Sequence, residues 1–113
     1  MATFKINEKN FYCPVELTLD TIGGKWKGLI LWHLREGTKR NGELKRALVS
    51  VTNKMLTQVL RELEDDGLIH RKVYRVVPPK VEYSLTEQGE RLRPVLEAMQ
   101  QWGLKFKETS KIV

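Results

Sequence analysis

The hydrophobic pattern of this 113-residue chain predicts a mainly α fold carrying one small β-hairpin, an α+β domain of five helices and a two-stranded wing. Three observations carry that expectation. Apolar residues recur at three- and four-residue steps through most of the stretch from Pro14 to about residue 66. After Gly67 the period falls to two, and after Thr86 it returns to the helical one.

The first eleven or so residues are polar and read as a flexible arm, residues 1–12. A first short helix begins at Pro14, because proline suits the first helical position, with Cys13 as its N-cap; it runs through Val15, Leu17 and Leu19 to the break at Gly23-Gly24. In the second helix Trp26, Leu29, Ile30, His33 and Leu34 share one face, and Gly37 stops it. A third helix, roughly Asn41 to Leu48, offers Leu44, Leu48 and Ala47 to the core.

The fourth helix has the clearest pattern. Thr52 N-caps it and Gly67 follows its end, with Met55, Leu56, Val59, Leu60 and Leu63 as its apolar stripe. Then Ile69, Arg71, Val73 and Arg75 alternate with His70, Lys72 and Tyr74, and Val81, Tyr83 and Leu85 alternate with Glu82 and Ser84. The prolines of Val76-Val77-Pro78-Pro79 cannot donate a ladder bond, so this stretch is the stiff tip of a hairpin. Thr86 caps the last helix, whose stripe is Leu92, Val95, Leu96, Met99 and Trp102; Pro94 should kink it or split off its first turn. The domain is expected over residues 13–105, with a tail at 106–113. Two helices joined by a tight turn and followed by a basic hairpin make a winged helix-turn-helix.

Composition narrows the function. A net charge of +6 favours a polyanionic partner, and residues 25–80 hold the surplus, 13 Lys/Arg against 6 Asp/Glu. One cysteine excludes an intrachain disulfide and a cysteine metal cluster, and His33 and His70 have no ligand-like spacing, so neither metal nor cofactor is expected. No Ser/His/Asp or Cys/His set and no phosphate-cradling glycine loop supports an enzyme. No stretch reaches the ~20 apolar residues of a membrane span and the start lacks an apolar signal core, so the cytoplasm is the expected location.

On the fourth helix the side opposite the core stripe carries Lys54, Thr57, Gln58 and Arg61, residue types that pair with base edges in a major groove. Thr52 and Asn53 stand at the helix start, where recognition helices commonly reach bases. Lys25, Lys27, Arg40, Lys45 and Arg46 are candidates for phosphate contact, and Arg75 and Lys80 flank the wing tip. The expected partner is therefore double-stranded DNA. A winged-helix protein-interaction module is the competing reading; it calls for an acidic or apolar face, whereas this one is polar and basic. One recognition helix reads only a few base pairs, so a homodimer on two half-sites is expected. The stripe Leu92, Leu96, Met99, Trp102 and Phe106 is its candidate interface; the plainer reading is that the stripe closes the subunit's own core.

The ordered motifs together resemble the HxlR family of winged-helix regulators. They are Cys13-Pro14-Val15, Gly24-Lys25-Trp26, the segments 41–46, 54–57 and 60–64, Gly67-Leu68-Ile69, and the segment 78–86 with Gly89. The resemblance spans roughly residues 13–103. It implies a dimeric bacterial transcription factor whose first and last helices build the dimer interface. Asn53 departs from the proline of many members, and the wing sequence Tyr74-Arg75-Val76-Val77 is less acidic than theirs.

Cys13 is a candidate redox sensor. At an N-cap, unpaired N–H groups favour a thiolate, although Glu16 opposes it, and a lone cysteine is more often a small buried hydrophobe. The resemblance implies sensing of oxidants or electrophiles at this position, and leaves room for a small-molecule or oxidant effector.

Overall fold

The computed structural model describes residues 3–110. The chain opens on a hairpin, β1 (Phe4–Ile6) and β2 (Lys9–Phe11), where a flexible arm was expected. Asn7 and Glu8 both adopt positive φ, 49° and 67°, as a two-residue hairpin turn requires. The Phe4 and Phe11 rings stack with centroids 5.6 Å apart, and Phe11 is buried. Lys9 pairs with Asp20 at 3.2 Å and ties the hairpin to the next element. Two apolar residues, Phe4 and Phe11, fix the hairpin, too few to stand out against the polar ones.

Helix α1 (Pro14–Ile22) follows, with Cys13 at the N-cap and proline in its first turn. Val15 and Leu19 remain exposed and only Ile22 is buried. Helix α2 (Lys27–Leu34) crosses the centre of the core and buries Ile30, Leu31 and Leu34. Leu29, expected inward, is 40% exposed, and Leu31 takes its place. Apolar residues run almost all the way round α2, so its period does not select a buried side.

Strand β3 (Lys39–Arg40) was not foreseen; two residues become a strand only through pairing with a distant one. Helix α3 (Asn41–Ala47) buries Leu44, with Leu48 just beyond its end, and leaves Ala47 exposed. The Arg40 N–H donates to Glu43 Oε1 at 2.9 Å, half of a capping box, since a guanidinium cannot accept the return bond.

Helix α4 (Asn53–Asp65) starts at Thr52, whose hydroxyl oxygen accepts the Met55 N–H at 3.1 Å, a cap that stabilises by about 1 kcal/mol. Leu56, Val59, Leu60 and Leu63 are buried, while Met55 lies at the stripe's edge and is 38% exposed. Gly67 ends the helix in the left-handed region, φ +76°. Gly67 N–H donates to Glu64 O at 2.9 Å and Leu68 N–H to Leu63 O at 3.0 Å, a Schellman motif.

The wing strands are β4 (Ile69–Tyr74) and β5 (Lys80–Leu85). They join β3 in an antiparallel sheet of order β3-β5-β4. Thr86 caps α5 (Glu87–Glu90) through Gly89 N–H at 3.0 Å and donates its own hydroxyl to Gly67 O at 2.7 Å. Pro94 splits the last helix as expected: α5 is one turn, and α6 (Arg93–Thr109) carries the proline in its first turn. Helix α6 therefore runs well past residue 105, into the stretch expected as a tail; residues 111–113 of that stretch lie outside the described ones.

Arg93 docks α6 on α2 by donating to the Arg35 carbonyl at 3.1 Å, and Leu96 enters the common core at 3% exposure. Leu96 thus belongs to the chain's own core, as the plainer reading of the stripe has it, and Leu92 also packs partly against that core. The outer part of the stripe, Met99, Trp102 and Phe106, stays exposed.

The backbone at Gly89 approaches Leu68 so closely that a Cβ would meet the Leu68 carbonyl oxygen and the Leu85 side chain. Gly89→Ala should therefore destabilise the fold by about 1–3 kcal/mol. Urea unfolding checks this; an unchanged midpoint would mean the contact is not needed.

Candidate nucleic-acid interface

Burial of Leu56, Leu60 and Leu63 turns the opposite side of α4 outward. Lys54, Thr57, Gln58 and Arg61 are all exposed on it, and Thr52 and Asn53 are exposed at its start. The Thr52 oxygen is already engaged as the cap, so toward a ligand its hydroxyl serves chiefly as a donor.

Antiparallel pairing places the wing beside this helix. Arg71 stands opposite Tyr83 and so shares the sheet face that looks toward α4. Thr57, Arg61, Glu64, Arg71 and Tyr83 line a notch of about 320 Å³ between helix and wing. Arg71 was not singled out from the sequence; strand alternation with Ile69, a core residue, was the pattern that could have found it.

A second groove, of about 490 Å³, runs between the start of α3 and the wing tip. Arg40, Asn41, Gly42, Lys80 and the segment 76–79 line it. Arg46 and Arg75 are exposed, and Lys45 and Lys27 are half-buried. Lys25 is placed differently: it borders a crevice with Leu96, Met99 and Gln100 of α6, and its ammonium lies 4.8 Å from the Trp26 ring. It lies against the last helix and does not join the α4 set.

Among the described residues, Arg40, Lys45, Arg46, Lys54, Arg61, Arg71 and Arg75 enter no ion pair; Lys39 pairs with Glu36 and Lys80 with Glu82. Their charges are thus available to an anion. Glu82 is the acid inside this basic surface. The Tyr74 hydroxyl is the largest influence and, with Lys80 and Arg40, holds its carboxyl below the ordinary carboxylate range, against the upward push of burial, which is second in size. The sequence marks Glu82 only as one polar residue of an alternating strand.

Cys13 is exposed, and its side chain makes no capping bond to α1, so it is not the buried hydrophobe that a lone cysteine most often is. Among the described residues no His, Cys, Asp or Glu cluster could hold a metal ion, and no helix is long and apolar enough to cross a membrane.

A polar helix exposed after a helix and tight turn, flanked by a basic β-hairpin, defines a winged helix-turn-helix transcriptional regulator. The chain belongs to the HxlR family: the model described as HxlR-like helix-turn-helix matches residues 21–111. The Cys13-Pro14-Val15 motif precedes the matched stretch. The HTH-type transcriptional regulator YdeP of Bacillus subtilis (strain 168) is 59% identical over 96 residues, covering 85% of this chain and 75% of YdeP. The redox regulator HypR in its oxidized form superposes with TM-score 0.79 at 57% identity, covering 82% of this chain and 96% of that one. HypR in its reduced form gives TM-score 0.83 at 52% identity, covering 88% and 98%.

Proposed function

We propose that this regulator binds duplex DNA sequence-specifically as a homodimer in the bacterial cytoplasm, with one α4 entering the major groove of each half of a palindromic operator. The outward polar face of α4 carries this reading. Gln58 suits adenine, Arg61 suits guanine, and Thr57 suits a base edge or a thymine methyl, with Asn53 and Lys54 at the entering end. Arg40, Lys45, Arg46, Arg75 and Lys80 contact phosphates and set the register. A protein-contact module would be served poorly by a face of unpaired cations.

A second copy of the chain covers the apolar side formed by α1 and α6. Val15 and Leu19 are exposed on α1, and Met99, Trp102 and Phe106 on α6, with the Trp102 and Phe106 rings stacked 4.9 Å apart. Pro14, Val15, Leu19, Val95 and Met99 line an open apolar crevice of about 550 Å³ between the two helices. Soluble monomers seldom expose so much contiguous apolar surface.

Cys13 adjoins that crevice and makes the dimer responsive to oxidants, a role supported by the likeness to HypR, a redox regulator. With one cysteine per chain, an oxidant that accepts two electrons joins two Cys13 thiols, one from each copy, or joins Cys13 to a small thiol; both routes release two protons.

Binding to duplex DNA should weaken steeply with salt as counterions are released. Arg61→Ala should lose about 1–3 kcal/mol at its own base pair and relax preference there, whereas Lys45→Ala should weaken all sequences alike. Competition assays on variant sites distinguish the two. A salt-independent response, or an Arg61→Ala loss equal on every sequence, contradicts this reading.

Sedimentation equilibrium tests the assembly. Reduced protein should show the mass of two chains, and Trp102→Glu that of one. Oxidised wild type should lose its free thiol, whereas Cys13→Ser is indifferent to oxidant. A monomeric wild type removes the dimer, and a thiol that survives oxidant removes the switch.

A further inference from the structure

Glu82 lies on the middle strand of the wing sheet, opposite Arg40 of β3 on one side and Lys72 of β4 on the other. Its Oε2 is 3.5 Å from Lys80 Nζ, and its side chain is 22% exposed. Tyr74 closes the cluster. The ammonium groups of Lys80 and Lys72 lie 4.5 and 4.9 Å from its ring. One carboxylate is therefore surrounded by cations on a surface that otherwise leaves its cations unpaired. Two of them have a second exposure: Arg40 and Lys80 also line the groove between the start of α3 and the wing tip.

We propose that this groove receives a backbone phosphate of duplex DNA, and that Glu82 is its built-in competitor, holding Lys80 in the free protein beside the unpaired Arg40 and yielding Lys80 to the phosphate on binding. The proposal rests on the DNA reading above and adds a residue that opposes binding. Charge and geometry support the exchange. A partly exposed ion pair is weak and readily traded. A phosphate offers the planar Arg40 guanidinium the same paired oxygen acceptors as a carboxylate. The exchange leaves Glu82 opposite Lys72 and, at 22% exposure, open to water, so the carboxylate is not stranded when the phosphate enters. The competitor lowers affinity for every sequence alike, because it acts on backbone contacts and not on base edges.

Glu82→Gln keeps the shape and removes the charge. On random-sequence duplex it should bind about two- to fivefold more tightly than wild type. Its plot of log affinity against log salt should steepen by about one. Adding Lys80→Ala to Glu82→Gln should cancel most of the gain. Glu82→Ala, which removes the carboxylate without adding an amide, should move affinity in the same direction, and it keeps the question answerable if Glu82→Gln lowers the melting temperature. Unchanged or weaker binding by both variants overturns the competitor while wild-type binding upholds the DNA reading. A gain that survives Lys80→Ala also overturns it. Wild type that shows no salt-dependent binding overturns both.

Discussion

The burial of one side of α4 is the constraint on which the rest of the molecule depends. Leu56, Leu60 and Leu63 are almost completely withdrawn from water, each stabilising by about 1.5–3 kcal/mol relative to exposure. Turning the helix by one residue would put Thr57, Arg61 and Glu64 in their places, and burying the last two without partners is far more costly. The helix therefore has one acceptable rotation. That rotation makes a stripe of leucines into the reason that four polar side chains face outward together.

A second constraint sets what stands beside that face. The left-handed turn at Gly67 ends α4, and the Leu68 carbonyl accepts the Thr86 N–H at 3.0 Å while the Thr86 hydroxyl reaches Gly67 O. The last residues of α4, both ends of the wing and the cap of α5 thus meet at one junction. Gly89 fits there because it lacks a side chain. The wing is consequently held at a fixed angle to α4, and α6 leaves from the same point toward the apolar side formed with α1. The surface proposed for DNA and the surface proposed for the second copy are both positioned by this junction.

Much of this is legible in the sequence, because it depends on local rules. The caps at Thr52 and Thr86, the Gly67 stop, the change of period at the wing and the split at Pro94 are each written in a few adjacent residues. The rest depends on partners distant along the chain. Two residues form β3 only because β5 pairs with them. Helix α2 is apolar on nearly every side, so only its neighbours determine that Leu31 is inside and Leu29 is not. Leu96 and Trp102 belong to one stripe, yet the Arg93 bond to Arg35 draws the first into the core and leaves the second outside. On the candidate interface, residue type and helical spacing sufficed for α4, whereas Arg71 and Glu82 acquire their surroundings only when the wing strands align.

The decisive question is whether the outward side of α4 is the surface that meets DNA. Backbone amide chemical shifts recorded while the protein is titrated with a duplex selected from a random pool answer it residue by residue. The account predicts the largest changes over Asn53–Arg61, followed by the wing around residues 75–80, with α4 remaining helical. Changes centred on α1 and α6, with α4 and the wing unmoved, would contradict it.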